Sequence, residues 1–248
     1  MTGLKLLSFL PFIVLIACSW KDKTTVNKKS PTKFTQFREI QKRNIKGHSF
    51  KSRIYNHLDH LDVAVLSFTK GLQESLRVRD YLYPESLPSD EIDAMGGGQN
   101  FQNYLTGQLL PKIDAQYRTD NNRRALLGHS FGGYFVLYSL LNQLQNKTNH
   151  FQTFISASPT LWYNNFFLNQ LPEQLAKSEK QLGIFLSVGG MEDSTWSITP
   201  VKNLTVEIQK RNIKGHSFVS RIYNLLDHLD VAVLSFTKGL QELAADKE

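Results

Sequence analysis

The stretch Gly128-His129-Ser130-Phe131-Gly132-Gly133 holds the residue type and spacing best suited to covalent chemistry. A serine two residues from a glycine on either side, set between a strand and a helix, is the pattern of a nucleophile elbow. Such a turn is tight enough to need small residues beside the serine, and it lifts the hydroxyl above the edge of a sheet. It also aims the first N–H of the following helix, here that of Phe131, at the charge developing on an attacked carbonyl oxygen. A hydroxyl is a weak nucleophile until a base takes its proton, so a histidine and an acid that orients it must come from elsewhere in the chain. His129 adjoins the serine, and on an elbow its side chain diverges from the hydroxyl. It is expected to pack against or line the pocket rather than to act as the base.

The elements that must position these groups are legible as alternating strand and helix signals from Ser75 onward. Arg123 to Gly128 reads as a strand ending in glycine, and Phe131 to Leu144 carries aromatic and aliphatic residues at helical spacing. Phe151 to Ser156 and Gly183 to Val188 are two more strands, each ending in small residues. This alternation predicts an α/β fold, a parallel sheet covered by helices, with functional loops beyond the strand ends. Phe101, Leu105, Leu109, Ile113 and Tyr117 recur four apart on one helical face, with Pro111 as a kink. Gly96-Gly97-Gly98 before them reads as a plain turn, since no phosphate-binding pattern follows it.

Beyond Gly215 two local readings compete. Ile222, Leu226, Leu229, Val233, Phe236 and Leu240 make a helical stripe that would bury His228 in one long helix. Alternatively His216 to Tyr223 is a strand, Asn224 to Leu229 a loop, and Ser235 to Leu243 a closing helix, a reading favoured by Val231, Val233 and Gly239.

The chain resembles the putative-esterase branch of the α/β hydrolases, which includes siderophore esterases and S-formylglutathione hydrolases. The segments that carry the resemblance are, in order, Arg77 to Tyr81, Gly97-Gly98 with Phe101 and Pro111, Leu127 to Gly133, Ser156 to Trp162, and Gly189 to Glu192. The resemblance implies a doubly wound parallel sheet and a serine hydrolase acting on small-molecule esters or thioesters, with no metal and no organic cofactor. It also implies the chain order serine, acid, histidine, so that His150, His216 and His228 are the candidates for the base. His228 is favoured and His216 is the alternative, because the family's histidine loop is followed by small and β-branched residues, a serine and Gly-Leu, here Val231, Ser235, Gly239 and Leu240. Glu192 and Asp193 follow the strand Gly183 to Val188 through Gly189-Gly190, where the orienting acid belongs; Glu192 has the closer spacing and Asp193 is the alternative. Asp227 is a weaker candidate because it adjoins His228. Trp162 and Tyr163, with His129, are expected at the substrate pocket, where aromatic faces can stack on an acyl or aryl group.

One feature sets the chain apart from that family. Glu39 to Glu74 matches Glu207 to Glu242 at a constant offset of 168, and only Lys51 against Val219 and His57 against Leu225 differ. The first copy stands where the family has its opening strands and a segment like Leu-Asp-Gly that supplies a second oxyanion donor; none precedes Ser75. The expected fold is therefore an α/β-hydrolase sheet without its N-terminal strands. Loss of one such donor costs about 2.7 to 4 kcal/mol of transition-state stabilisation, so a catalytically inactive binding module is the rival reading. The first copy would pair as a surrogate strand and helix on the sheet edge, or exchange with the second in a domain-swapped dimer.

Composition and the N-terminus set the location. A hydrophobic content of 41% is ordinary for a globular chain of 248 residues and excludes wholesale disorder. Lys5 precedes the apolar run Leu6 to Ala17, too short to span a bilayer and suited to an export signal. Leu15-Ile16-Ala17-Cys18 resembles the lipobox of bacterial lipoproteins, and Cys18, the single cysteine, would be lipidated after cleavage behind residue 17. Residues 1–17 thus read as a signal peptide, 18–38 as a flexible tether, 39–75 as the duplicate and 76–248 as a partial hydrolase domain. Five lysines of the tether account for much of the net charge of +7 and would sit near anionic head groups. No nucleic-acid motif accompanies the charge. An exported, lipid-anchored protein is the expectation.

Overall fold

A computed structural model describes residues 74–211, 213 and 215–244, and additionally, as backbone strands, residues 14–19, 49–50, 61–66 and 68–69. Apart from those strands and residues 74 and 75, the expected signal segment, tether and duplicate lie outside the described residues. The strands are β1 (Val14–Ser19), β2 (Ser49–Phe50), β3 (Leu61–Leu66) and β4 (Phe68–Thr69), followed by β5 (Arg124–His129), β6 (Thr153–Ala157), β7 (Gly183–Gly189) and β8 (Ser217–Tyr223). The four that carry the site, β5 to β8, pair in parallel in that order. On the β5 side, β1 pairs antiparallel with β5 and β3 antiparallel with β1, while β2 and β4 form a separate antiparallel pair.

β5, β6 and β7 are buried on both faces, as their apolar runs require, and β8 is the half-exposed edge strand. Alternation along each strand divides the core in two. Leu126, Phe154, Ile184 and Leu186 face one layer, which packs against Phe135, Leu140 and their neighbours on the long helix Phe131–Gln145. Ala125, Leu127, Ile155 and Phe185 face the other, closed by Ala232, Phe236 and Leu240. Helices therefore cover both faces, which is the doubly wound arrangement.

We number the helices α1 (Glu74–Tyr81), α2 (Gly98–Tyr104), α3 (Leu110–Gln116), α4 (Phe131–Gln145), α5 (Leu171–Ala176), α6 (Thr199–Lys210) and α7 (Val231–Gly239). Between α2 and α3 the chain runs on through a π-helical turn, Leu105–Leu109, directly before Pro111. A proline lacks the N–H for its i−4 carbonyl and its ring crowds that carbonyl, here Gly107, so the ladder widens instead of breaking. The extra residue moves the buried face from Leu109 to Leu110, which is 1% exposed, and leaves Tyr117 exposed at 41%.

The strand, loop and helix reading holds for the C-terminal segment, with one correction. The last helix starts at Val231, not Ser235. Asp227 is the cause: its carboxylate accepts from the N–H groups of Leu229 and Asp230 at 2.8 and 3.0 Å and turns the chain into a helix one turn early. Gly239 lets α7 lie close on the sheet, because a Cβ there would stand 2.8 Å from atoms of Ile155.

Candidate active site

Ser130 links β5 to α4 with φ 60° and ψ −123°, a positive-φ conformation that costs a non-glycine residue roughly 1–3 kcal/mol and persists only where its surroundings hold it. Two backbone bonds do so: Ser130 N–H donates to Ala157 O at 3.0 Å and Tyr134 N–H donates to Ser130 O at 2.9 Å. The glycines that make room are not the pair read from the sequence. A Cβ at Gly128 would stand 2.1 Å from Gly132 O, and one at Gly133 would stand 2.8 Å from Ala157 O, whereas one at Gly132 would meet nothing within 4 Å. Gly128 and Gly133 are the sterically required positions. Phe131 opens α4, and the first N–H groups of a helix have no intrahelical acceptor, so its amide is suited to an oxyanion.

Two loops bring Glu192 and His228 to the same end of the sheet. Glu192 leaves β7 through Gly189-Gly190, and His228 stands between β8 and α7. The loops interlock: Gly190 N–H donates to Tyr223 O at 2.9 Å and Met191 N–H donates to Leu226 O at 3.1 Å. The approach is close enough to require both glycines, since a Cβ at Gly189 would stand 2.5 Å from Leu226 O and one at Gly190 would stand 2.6 Å from Asn224 Cα. Within this frame His228 Nδ1 donates to Glu192 Oε2 at 2.7 Å, the glutamate side chain being 2% exposed and the histidine 40%.

The other carboxylate oxygen of Glu192 accepts from Gly189 N–H at 2.7 Å and from the Ser158 hydroxyl. Burial pushes the carboxyl pKa up, but the hydrogen bonds from His228, Ser158 and Gly189 outweigh it and hold the group below its ordinary range. A carboxylate only accepts, so Nδ1 of neutral His228 carries the proton and Nε2 is left with its lone pair. The start of α7 is tied down as well, through Ser187 Oγ donating to Ser235 Oγ at 2.6 Å and Ser235 Oγ to Val231 O at 2.7 Å.

Several residues singled out from the sequence stand elsewhere. His216 precedes Ser217, which pairs with Gly183 at the start of β7 and β8. It therefore lies at the opposite end of the parallel strands from Ser130, about 20 Å of strand away. Its Nε2 faces Leu175 O at 3.3 Å. Asp193 is exposed and accepts from Thr195 and Trp196 N–H at 2.8 and 2.7 Å, capping a π-helical turn, Ser194–Ile198. Tyr163, expected at the pocket, is fully buried and its hydroxyl donates to Pro84 O at 2.7 Å. Trp162 is half-buried and meets Trp196 edge-on, ring centroids 6.1 Å apart. His129 is 1% exposed, so it does not line an open pocket. Its Nε2 lies 2.5 Å from His228 O and the two rings are 4.5 Å apart. Burial, and then the neighbouring His228, push its pKa down to about 3.

Ser158, Trp196 and the contact of His129 with His228 were not visible in the sequence. Ser158 lies in the Ser156 to Trp162 segment, but its positive φ of 43° and its aim at Glu192 arise only once β6 and β7 are paired. Among the described residues no cluster of histidine, cysteine, aspartate and glutamate could hold a metal ion.

A parallel sheet with an elbow serine after one strand, and an acid and a histidine on loops after later strands, defines the class as α/β-hydrolase-like. The chain belongs to the family described as Putative esterase, whose model matches residues 58–224. That match ends before His228. The chain is 32% identical over 113 residues to ferri-bacillibactin esterase BesA of Bacillus subtilis (strain 168), covering 44% of this chain and 38% of that protein. It is 33% identical over 88 residues to the siderophore enterobactin esterase of Emericella nidulans, covering 34% and 28%. The chain thus matches well under half the length of these curated relatives. Among solved structures, the BES protein from Bacillus cereus superposes with a TM-score of 0.61 at 24% identity, over 74% of this chain and 71% of that one, and the likeness is one of fold.

Proposed function

We propose that this chain hydrolyses carboxylic esters or thioesters through Ser130, His228 and Glu192. The observation that carries the reading is the 2.7 Å bond between His228 Nδ1 and a buried Glu192 carboxylate, at the strand end where Ser130 occupies its strained elbow. In this reading Nε2 of His228 takes the Ser130 proton as Oγ attacks the carbonyl carbon. The Phe131 amide holds the resulting oxyanion, and Glu192 stabilises the imidazolium. Collapse of the tetrahedral adduct expels the alcohol or thiol, which receives the proton from His228. Water, deprotonated by the same histidine, then releases the acid and restores Ser130. Siderophore esters are the first substrates to try, since the relatives that the chain resembles are siderophore esterases. The test is turnover of p-nitrophenyl butyrate and of a siderophore ester by the wild-type chain beside Ser130→Ala. A folded wild type no faster than Ser130→Ala would put the inactive binding module first, the reading favoured by the want of a Leu-Asp-Gly-like segment before Ser75.

The lipid anchor on Cys18 is part of the same proposal. Cleavage before Cys18 would remove residues 14–17 from β1, so processing and the pairing of β1 with β5 exclude one another. Intact mass of the purified protein decides: a mature chain beginning at a diacylated Cys18 supports the anchor, and an unprocessed Met1 opposes it.

A further inference from the structure

We propose that His129 is a positioning residue for this site, its Nε2–H holding the main-chain carbonyl of His228 and so fixing the base relative to Ser130. The inference rests on the reading of Ser130, His228 and Glu192 given above. A carbonyl oxygen only accepts, so at 2.5 Å the proton is on His129 Nε2. Strand parity explains why the side chain points there. His129 follows Ala125 and Leu127 on the face that α7 covers, and the loop bearing His228 leads directly into α7.

The base is thereby tethered at two points from two strands. Glu192, after β7, holds its ring at 2.7 Å, and His129, at the end of β5, holds its backbone. The donor and the nucleophile are consecutive residues, so any movement of the elbow is passed to the base and their separation is kept. Burial keeps the His129 ring neutral, which preserves the single Nε2–H and avoids a second positive charge 4.5 Å from His228 when that ring takes up a proton. Without this bond the histidine loop still has Leu226 N–H to Tyr223 O, Gly190 N–H to Tyr223 O and Met191 N–H to Leu226 O. The bond therefore sets alignment more than folding.

Two substitutions separate donor from shape. His129→Phe keeps a planar ring and removes the N–H, whereas His129→Gln places an amide N–H at the reach of Nε2. In the full chain, His129→Phe is expected to lower kcat about 100-fold with KM within about twofold, and His129→Gln to regain at least about tenfold of that loss. NMR of histidine labelled with 15N gives a readout that does not need turnover. The His228 Nδ1–H resonance should be protected in the wild type, broadened in His129→Phe and restored in His129→Gln. If His129→Phe does not fold, His129→Asn, whose amide falls short of Nε2, replaces it with the same expectations. A kcat within about threefold of wild type in the donor-less variant, with the Nδ1–H resonance retained, overturns the proposal. A wild type without serine-dependent turnover whose resonance still follows the three proteins as stated removes the esterase reading and leaves the clamp standing.

Discussion

Glu192 and His228, 36 residues apart in the chain, meet at 2.7 Å because two glycines, Gly189 and Gly190, let the loop after β7 lie against the loop after β8. The pairing fixes the tautomer of the histidine as well as its place. Glu192→Gln keeps the size and offers an amide that can donate to Nδ1, which favours the wrong tautomer; kcat should fall by about 10⁴-fold with KM little changed. Ser130→Ala and His228→Ala should abolish turnover above background. A Glu192→Gln enzyme within tenfold of wild type would mean that another group orients His228.

Gly189→Ala probes the loop contact itself. Its Cβ would stand 2.5 Å from Leu226 O and 2.8 Å from Asp227 O, both backbone atoms, so the histidine loop has to shift. A loss of about 1–3 kcal/mol by urea unfolding is expected, together with a fall in kcat, whereas Gly132→Ala, with nothing within 4 Å of its Cβ, should cost far less. Equal losses in the two variants would contradict the steric account.

Ser158→Ala removes one of the donors to Glu192. The Glu192 carboxyl pKa should rise, as read by NMR titration of the 13C-labelled carboxyl. An unchanged titration would show that the backbone N–H of Gly189 and the His228 ring suffice.

Stability should fall on the acid side because of His129. Its pKa is about 3 in the folded chain against an ordinary 6.5, so between these values the unfolded chain binds a proton that the folded chain does not. The stabilisation is complete above pH 6.5 and is lost as pH falls toward 3, at about 1.4 kcal/mol per pH unit. His228, Glu192 and Arg77 are the titratable or charged groups acting on this ring, and the depressed Glu192 acts in the same direction at lower pH. Urea unfolding at pH 6.5, 6, 5.5 and 5 should show a shallower slope for His129→Gln than for wild type. Parallel slopes would mean that His129 is not kept neutral by the fold.

The two positions at which the repeat copies differ should respond unequally. Val219 packs against the core layer beneath α7, whereas Leu225 is 87% exposed. Val219→Lys is expected to lower stability by about 1–3 kcal/mol and Leu225→His to change it by less than about 0.5 kcal/mol. Thermal melting of both variants decides; a neutral Val219→Lys would mean that the first copy is as fit for the site beside β7 as the second.

The elbow serine and its elements were legible because they rest on local rules. A glycine pattern between an apolar strand and a helix needs no partner to be recognised, and local patterns placed β5, β6, β7 and α4 within one or two residues of their observed ends, while β8 stood as one of two competing readings. What the sequence alone left open was every choice among similar residues: His228 or His216, Glu192 or Asp193, and which aromatic rings line a pocket. Those choices depend on strand order and direction, which set which strand ends meet. Parallel pairing of β7 with β8 carried His216 to the wrong end, and the cap at Thr195 and Trp196 occupied Asp193. Packing against Tyr134, with its hydroxyl on the Pro84 carbonyl, buried Tyr163, and the approach of the loop after β8 to the end of β5 turned His129 from a neighbour of the serine in sequence into a neighbour of His228 in space. Local sequence determines conformation one element at a time; only the packing of elements remote in the chain decides which polar atoms end within hydrogen-bonding distance.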